Sequence, residues 1–164
     1  MTGVQTCALP IYGRLGGFHF NDSKYGDDDL TVGSINPYQL FLVLLELLAH
    51  GGGSLPDLAY MIDESHNVKD PIEDLIQATD EIQVALARAL LVDLHALTEA
   101  QDADDPARAA EVLQSAYRTD VRPLVAEARR RSGAAITPLE TFRALGYRAA
   151  MAHERGSGHA ASGL

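Results

Sequence analysis

The chain has 164 residues, of which 46% are hydrophobic, and this length is sufficient for one modest core. Its formal net charge of -10 argues against nucleic acid as a partner, because phosphate binding requires surplus lysine and arginine. The single cysteine excludes an internal disulfide, and the composition is typical of a cytoplasmic protein.

The first eleven residues, MTGVQTCALPI, are unlike the start of a natural protein. They contain neither the basic region nor the long apolar region of a signal peptide. The string resembles the translation of a sequencing-library adapter, so residues 1–11 are interpreted as a non-native segment and Cys7 is not interpreted as a nucleophile. The native reading frame is then expected to begin near Tyr12, inside a longer protein.

The segment GFHFN alternates aromatic with polar residues, which predicts a strand over residues 17–21 with one aromatic and one polar face. Residues 22–35 contain little that would form a helix or a strand, so they predict a long loop. Asn36 and Pro37 favour a helix start, and the apolar run that follows predicts a helix to His50. This run is interrupted by a glutamate and is too short to span a membrane.

Three glycines, 51–53, end this helix, and residues 58–63 predict a second strand. A strand, a crossover helix and a second strand form a βαβ unit, in which the strands pair in parallel. In a barrel of such units, functional residues lie at the carboxyl ends of the strands and in the loops that follow. That end carries His19, Asn21, Asp63 and the aspartate cluster 27–29.

Beyond the second strand the chain is predicted to be helical. Pro71 opens the first helix, whose leucine stripe continues to Leu97, with an N-cap at Asp80 as an alternative that would divide it. A capping-box pattern that begins at Thr137 marks the last helix, and residues 157–164 are expected to form a disordered tail. The additional helices are expected over residues 106–117, 121–131 and 138–154.

The histidine and the carboxylates near the two strand ends form a candidate site for a divalent cation. Imidazole with carboxylate suits manganese, zinc, cobalt or iron, and the oxygen-rich part also suits magnesium. His19 is alternatively a hydrogen-bonded core histidine, and three aspartates after a glycine alternatively form a solvated turn. A buried Asp63 would be costly unless it were paired or bound to a metal. The residues alone leave these alternatives open.

Two strings, GGFHFNDSKYGDDDLTVGSINPYQLF and MIDESHNVKDPIE, resemble the bacterial L-rhamnose isomerase family of xylose-isomerase-like barrels. The resemblance runs from about Tyr12 to Gly156 and covers only the C-terminal part of such an enzyme. It implies an α/β fold, a C-terminal fragment of a (β/α)8 TIM barrel. Residues 12–70 would form its last one or two βα units with the metal-site loop, and residues 71–156 a mostly α-helical C-terminal extension.

The resemblance also implies a site. His19 and Asp63 would bind the first of two divalent ions, and Asp27 and Asp29 would bind the second, catalytic ion. Asp63 would also lie near the substrate oxygens as a catalytic residue, while Asp28 would face solvent or support the ligands. Manganese is the cofactor that the resemblance implies.

The family interconverts aldose and ketose sugars such as L-rhamnose and L-rhamnulose. The resemblance implies a metal-assisted hydride shift, with an enediol route and a carboxylate base as the alternative. Smaller roles near the site are considered for residues of the two loops: Asp22, Lys24, Ser65, His66 and Asn67.

Because a closed barrel needs about 250 residues, the chain alone is expected to be inactive. The full-length parent is expected to be a cytoplasmic homotetramer that acts on a small-molecule sugar. Two alternatives stay open: a non-catalytic helical oligomerisation or interaction module in residues 71–156, or a partial metal-binding domain. The arginine run 129–131 is interpreted as a solvated helix C-terminus.

Overall fold

A computed structural model describes residues 15–26, 28–64 and 70–154, the last three of these by their backbone alone. The adapter-like segment, Asp27, residues 65–69 and the predicted tail lie outside the described residues. No helix in the described ranges is both long enough and apolar enough to cross a membrane. The elements are β1 (Gly17–Phe20), α1 (Pro37–His50), β2 (Ala59–Ile62), α2 (Pro71–Leu90), α3 (Leu94–Asp102), α4 (Pro106–Arg118), α5 (Arg122–Ser132), α6 (Pro138–Ala144) and α7 (Tyr147–Glu154).

The predicted βαβ unit is confirmed, because β1 and β2 pair in parallel with Phe20 opposite Ile62, and α1 connects them. One face of this two-stranded sheet carries stacked aromatic rings that join the same apolar cluster as α1. The other face is open, and Met61 on it is 45% exposed. One open face and one helix-covered face suit strands of a barrel, whose inner face is completed by further strands. The barrel itself stays a prediction.

The core is built where α1 packs along α2. The large buried side chains of α1, including Phe41 and Leu44, share one apolar cluster with alanines of α2 such as Ala78 and Ala85. Small residues on α2 leave room for the large residues of α1. The ring of Tyr117 lies 5.4 Å from that of Phe41 and joins α4 to the same cluster.

Helix α2 differs from its sequence prediction in two respects. It is continuous from Pro71 to Leu90 and is capped by the Asp70 carboxylate, so the alternative N-cap at Asp80 is wrong. Its predicted apolar stripe is correct only in part, because Ile82 and Leu86 pack against the core while Leu75 and Leu90 are 43% and 55% exposed, and alanines supply most of the fully buried face. The polypeptide then turns, and a new helix begins after an Asp93 cap.

The later helices follow the sequence prediction except at the end. Asp105 caps α4, and Gly133 ends α5 with a φ of 73°, a left-handed conformation that glycine adopts without steric cost. The single helix expected over residues 138–154 is wrong, because a turn at Leu145 and Gly146 divides it into α6 and α7. Thr137 occupies the N-cap position of α6, but its side chain forms no capping hydrogen bond, so the capping box is also wrong.

Candidate functional site

His19 and Asp63 meet on the open face of the sheet. The parallel ladder continues past both strands, because the Asp63 amide donates to the Phe20 carbonyl oxygen at 3.0 Å. Strand alternation then places His19 and Asp63 on the same face. The His19 Nδ1 atom lies 3.1 Å from Asp63 Oδ2, and the two side chains are 59% and 58% exposed. Two predicted ligands are therefore adjacent and accessible.

This pair fits a divalent cation in donor type and in spacing. Two ligand atoms at about 2.0–2.2 Å from an ion, in neighbouring octahedral positions, are separated by about 3.0 Å. The separation of 3.1 Å between Nδ1 and Oδ2 is compatible with that value, and it is also the length of the direct hydrogen bond between the two side chains. The number of donors is insufficient, because no three His, Cys, Asp or Glu side chains come together within the described ranges. Further ligands would have to come from elsewhere.

The loop after β1 is closed next to this pair. Backbone hydrogen bonds of 2.8 and 2.6 Å join Asp22 and Leu30 in both directions. The Asp22 carboxylate accepts hydrogen bonds from the Ile35 and Asn36 amides at 2.9 and 3.1 Å. Asp22 therefore fixes the loop to the start of α1, because its Oδ2 atom accepts both of these hydrogen bonds.

The three aspartates 27–29 have different environments. Asp28 accepts hydrogen bonds from the backbone amides of Lys24 and Tyr25, so its carboxylate stabilises the conformation of its own loop. The Asp29 carboxylate accepts a hydrogen bond of 2.9 Å from the Asn21 side chain. Asp27 lies outside the described residues, and its predicted role as a ligand stays a prediction.

Two acidic residues that anchor the loop were not identified from the sequence. The Glu64 carboxylate accepts a hydrogen bond of 2.7 Å from the Val32 amide, and Thr31 donates one of 2.5 Å to the buried Asp74. Glu64 directly follows Asp63, so it couples the end of β2 to the loop. The sequence offered one signal, the position of Glu64 next to Asp63. The hydrogen-bond partners of Glu64 and Asp74 lie 32 and 43 residues away in the sequence.

The other histidines of the chain, and the remaining polar residues considered near the site, have no described place in it. The Lys24 ammonium lies 5.0 Å from the ring centroid of Tyr25, its own neighbour. His50 and His95 each approach a glutamate on their own helices. Four further polar residues lie outside the described part of the chain: Ser65, His66, Asn67 and His159. His153 is described by its backbone alone.

Arg129 corrects the interpretation of the arginine run as solvated. Its guanidinium donates to Asp80 and Gln83 on α2 and to the Ile136 carbonyl oxygen, and its side chain is only 11% exposed. The next two arginines do remain exposed and pair with Glu127 on the same helix. The difference arises because only Arg129 faces α2.

The geometry at the strand ends can be compared with known proteins. The chain is related to probable sugar isomerases. It is 56% identical over 144 residues to a protein of that name from Mesorhizobium japonicum, and 52% identical over 148 residues to one from Rhizobium meliloti. Each alignment covers 87% of this chain, and the chain spans 34% of the length of each relative. No protein-family model matches the chain.

Proposed function

We propose that this chain is the C-terminal part of a metal-dependent sugar isomerase that interconverts an aldose and its ketose, of the L-rhamnose to L-rhamnulose type. The observation that carries the proposal is the His19–Asp63 pair, 3.1 Å apart at the carboxyl ends of two parallel strands. The names of the two relatives support the same reaction class. In the complete protein, the open face of the sheet would line a (β/α)8 barrel.

The proposed roles are those that the resemblance to the L-rhamnose isomerase family implies, and the chemistry of each side chain is compatible with them. His19 and Asp63 would hold one divalent ion, and Asp29 with Asp27 would hold a second. The resemblance implies manganese, which is one of several ions that this imidazole and carboxylate set suits. Such ions, when bound, supply Lewis-acid polarisation of the substrate oxygens and a template for them. Asp63 is the proposed catalytic residue, because its accessible carboxylate can accept the proton of a substrate hydroxyl.

A complete centre requires ligands beyond those described. The described residues bring together one imidazole and one carboxylate. A divalent ion of this kind takes about four to six ligands. We therefore expect this chain alone to show little or no isomerase turnover. Robust conversion of L-rhamnose by the isolated chain with manganese would contradict this part of the proposal.

A chimeric enzyme tests the reaction class. The matching third of the Mesorhizobium japonicum relative is replaced by this chain from Tyr12 onward, and aldose–ketose conversion is measured with manganese. We expect conversion comparable to that of the parent relative, and a loss of at least about 100-fold for His19→Ala and for Asp63→Asn. Gln39→Ala, an exposed position on α1, is the control that should leave the rate unchanged.

The results separate the parts of the proposal. If the parent relative is active and the chimera keeps its activity after His19→Ala, the proposed site is wrong. If the parent relative isomerises no sugar, the proposed reaction class is wrong, and the alternative of a metal-binding domain is left.

Assembly is a second proposal, supported by the apolar surface of the helical part. Leu124, Ile136 and Leu145 are 51%, 50% and 73% exposed on α5 and the segments after it. We propose that these exposed apolar side chains contribute to the contact between subunits of a homotetramer. Light scattering of the chimera and of its Leu145→Glu variant tests the idea, and an unchanged tetramer in the variant would contradict a role for that residue.

A further inference from the structure

The aspartate loop, residues 22–36 after β1, is held by acids from two distant parts of the chain. The Thr31 hydroxyl donates a hydrogen bond of 2.5 Å to Asp74 on α2, and the Val32 amide donates one of 2.7 Å to Glu64 after β2. Thr31, Val32 and Asp74 are buried, so water competes little for these bonds. The four residues Thr31, Val32, Glu64 and Asp74 form a clamp on the loop.

Helix α2 contacts the loop beyond this hydrogen bond. Asp74, Ala78 and Glu81 are spaced by four and three residues, so they lie on one face of α2. Gly33 lies against that face, because a Cβ atom added to it would be 3.1 Å from the Glu81 Cβ atom. Its φ of 78° also lies in the left-handed region that favours glycine. A side chain at position 33 would be both strained and crowded, so the loop and α2 fit closely here.

The two acids of the clamp act from behind the open face of the sheet. By strand alternation the Glu64 side chain shares the helix-covered face with Ile62, whereas Asp63 lies on the open face. Val32 belongs to the same apolar cluster as Ile62, which places the loop against the covered face. Asp74 is buried on α2. Neither acid would therefore contact a substrate on the open face, and each can affect that face only through the backbone that it holds.

We propose that Glu64 and Asp74 are positioning residues, which hold the aspartate loop in one conformation beside Asp63 before any substrate binds. The inference rests on the proposed function, because it assigns both acids to the same active site. The clamp needs no ligand, since its hydrogen bonds join residues of the chain to one another. Helix α2 thus has two roles, because it packs against α1 in the core and also shapes the loop at the site.

Hydrogen exchange of the Val32 amide, followed by nuclear magnetic resonance in the whole chain, tests the clamp. Glu64→Ala removes the acceptor, so this amide should exchange about 10–100-fold faster, while amides in the core between α1 and α2 keep their protection. Glu64→Gln keeps an oxygen that can accept the bond and should restore most of the protection. A Val32 amide that is unprotected in the unsubstituted chain, or that exchanges equally fast in Glu64→Ala, would overturn the proposal.

The contact with α2 is tested by a second variant with a control on the same helix. Thr31→Val removes the hydroxyl that donates to Asp74 and keeps the branched shape, so exchange of the neighbouring Val32 amide should become faster. Glu73→Gln is the matched control, because Glu73 precedes Asp74 but pairs with Arg143 on α6. It should leave the exchange of Val32 relative to the core unchanged. Equal effects of the two substitutions on Val32 would mean that α2 does not hold the loop.

Kinetics of the chimeric enzyme separate a positioning role from a contribution to stability alone. A displaced loop changes the contacts with the substrate, so KM for the aldose should rise in Glu64→Ala and recover in Glu64→Gln. A smaller folded fraction lowers only the apparent kcat, and such a change with KM unaltered would overturn the positioning role. If the unsubstituted chimera and the parent relative isomerise no sugar, the proposed function is wrong, while hydrogen exchange of the chain still decides whether the clamp holds the loop.

Discussion

Three consecutive arginines at the end of α5 provide a prediction with internal controls. Arg129→Met removes the guanidinium that joins Asp80, Gln83 and Ile136, but it keeps an unbranched apolar stem. Arg130→Met and Arg131→Met remove the same group from exposed positions, where each arginine pairs with Glu127 on its own helix.

The expected cost follows from burial. Hydrogen bonds to charged groups contribute about 1.5–3 kcal/mol each, and they do not add, because Asp80 and Gln83 regain water when Arg129 is lost. The Asp80 side chain is 36% exposed, so a total of about 2–3 kcal/mol is reasonable for the whole group. The exposed pairs of the next two arginines contribute much less, because solvent and salt screen them.

Urea unfolding followed by circular dichroism measures the difference. With a slope of about 2 kcal/mol per molar urea, Arg129→Met should lower the midpoint by about 1–1.5 M, and the two control substitutions should lower it by far less. Equal midpoints for the three variants would refute the inference that Arg129 fastens α5 to α2.

Further predictions concern the core, a helix cap and a surface ion pair. Phe41→Ala, at a side chain with no exposed surface, should lower the free energy of unfolding by about 3–5 kcal/mol, and an effect below about 1 kcal/mol in urea unfolding would contradict its place in the core. Asp105→Ala removes the hydrogen bond to the Arg108 amide and should cost about 1 kcal/mol in the same assay, unlike Asp105→Asn. The hydrogen bond from the Arg143 guanidinium lowers the pKa of Glu73 below its ordinary value of 4.5. The Glu73 carboxylate therefore stabilises the fold above that pH, and its contribution is lost as pH falls through the lowered pKa. Glu73→Gln should accordingly lower the urea midpoint at neutral pH, and the difference from wild type should shrink as pH falls below 4.5; a constant difference would contradict the pairing with Arg143.

Local pattern was sufficient for the βαβ unit. The alternation in GFHFN and the Asn36–Pro37 start gave β1 and α1 within a residue or two, because strand faces and helix starts depend on neighbours in sequence. The placement of His19 and Asp63 on one face followed from the same alternation, and their parallel pairing brought them together.

Contacts between distant segments were not predictable in the same way. Asp80 was assigned a cap because its side chain suits one, yet its partner is Arg129, which lies 49 residues later. Glu64 and Asp74 anchor the aspartate loop through partners 32 and 43 residues away. Such residues look like ordinary surface acids until the packing of α2 is known, because propensity contains no information about tertiary partners.

The most direct test is whether His19 and Asp63 share a divalent cation. Manganese is added to the chimeric enzyme, in which the relative's part of the protein would supply the further ligands, and pulsed electron paramagnetic resonance is used to detect the magnetic coupling of directly bound imidazole nitrogen. The account predicts a nitrogen coupling in the unsubstituted chimera that is reduced or lost in His19→Ala and weakens in Asp63→Asn at the same manganese concentration. An identical coupling in all three proteins, or none in the unsubstituted chimera, would contradict it.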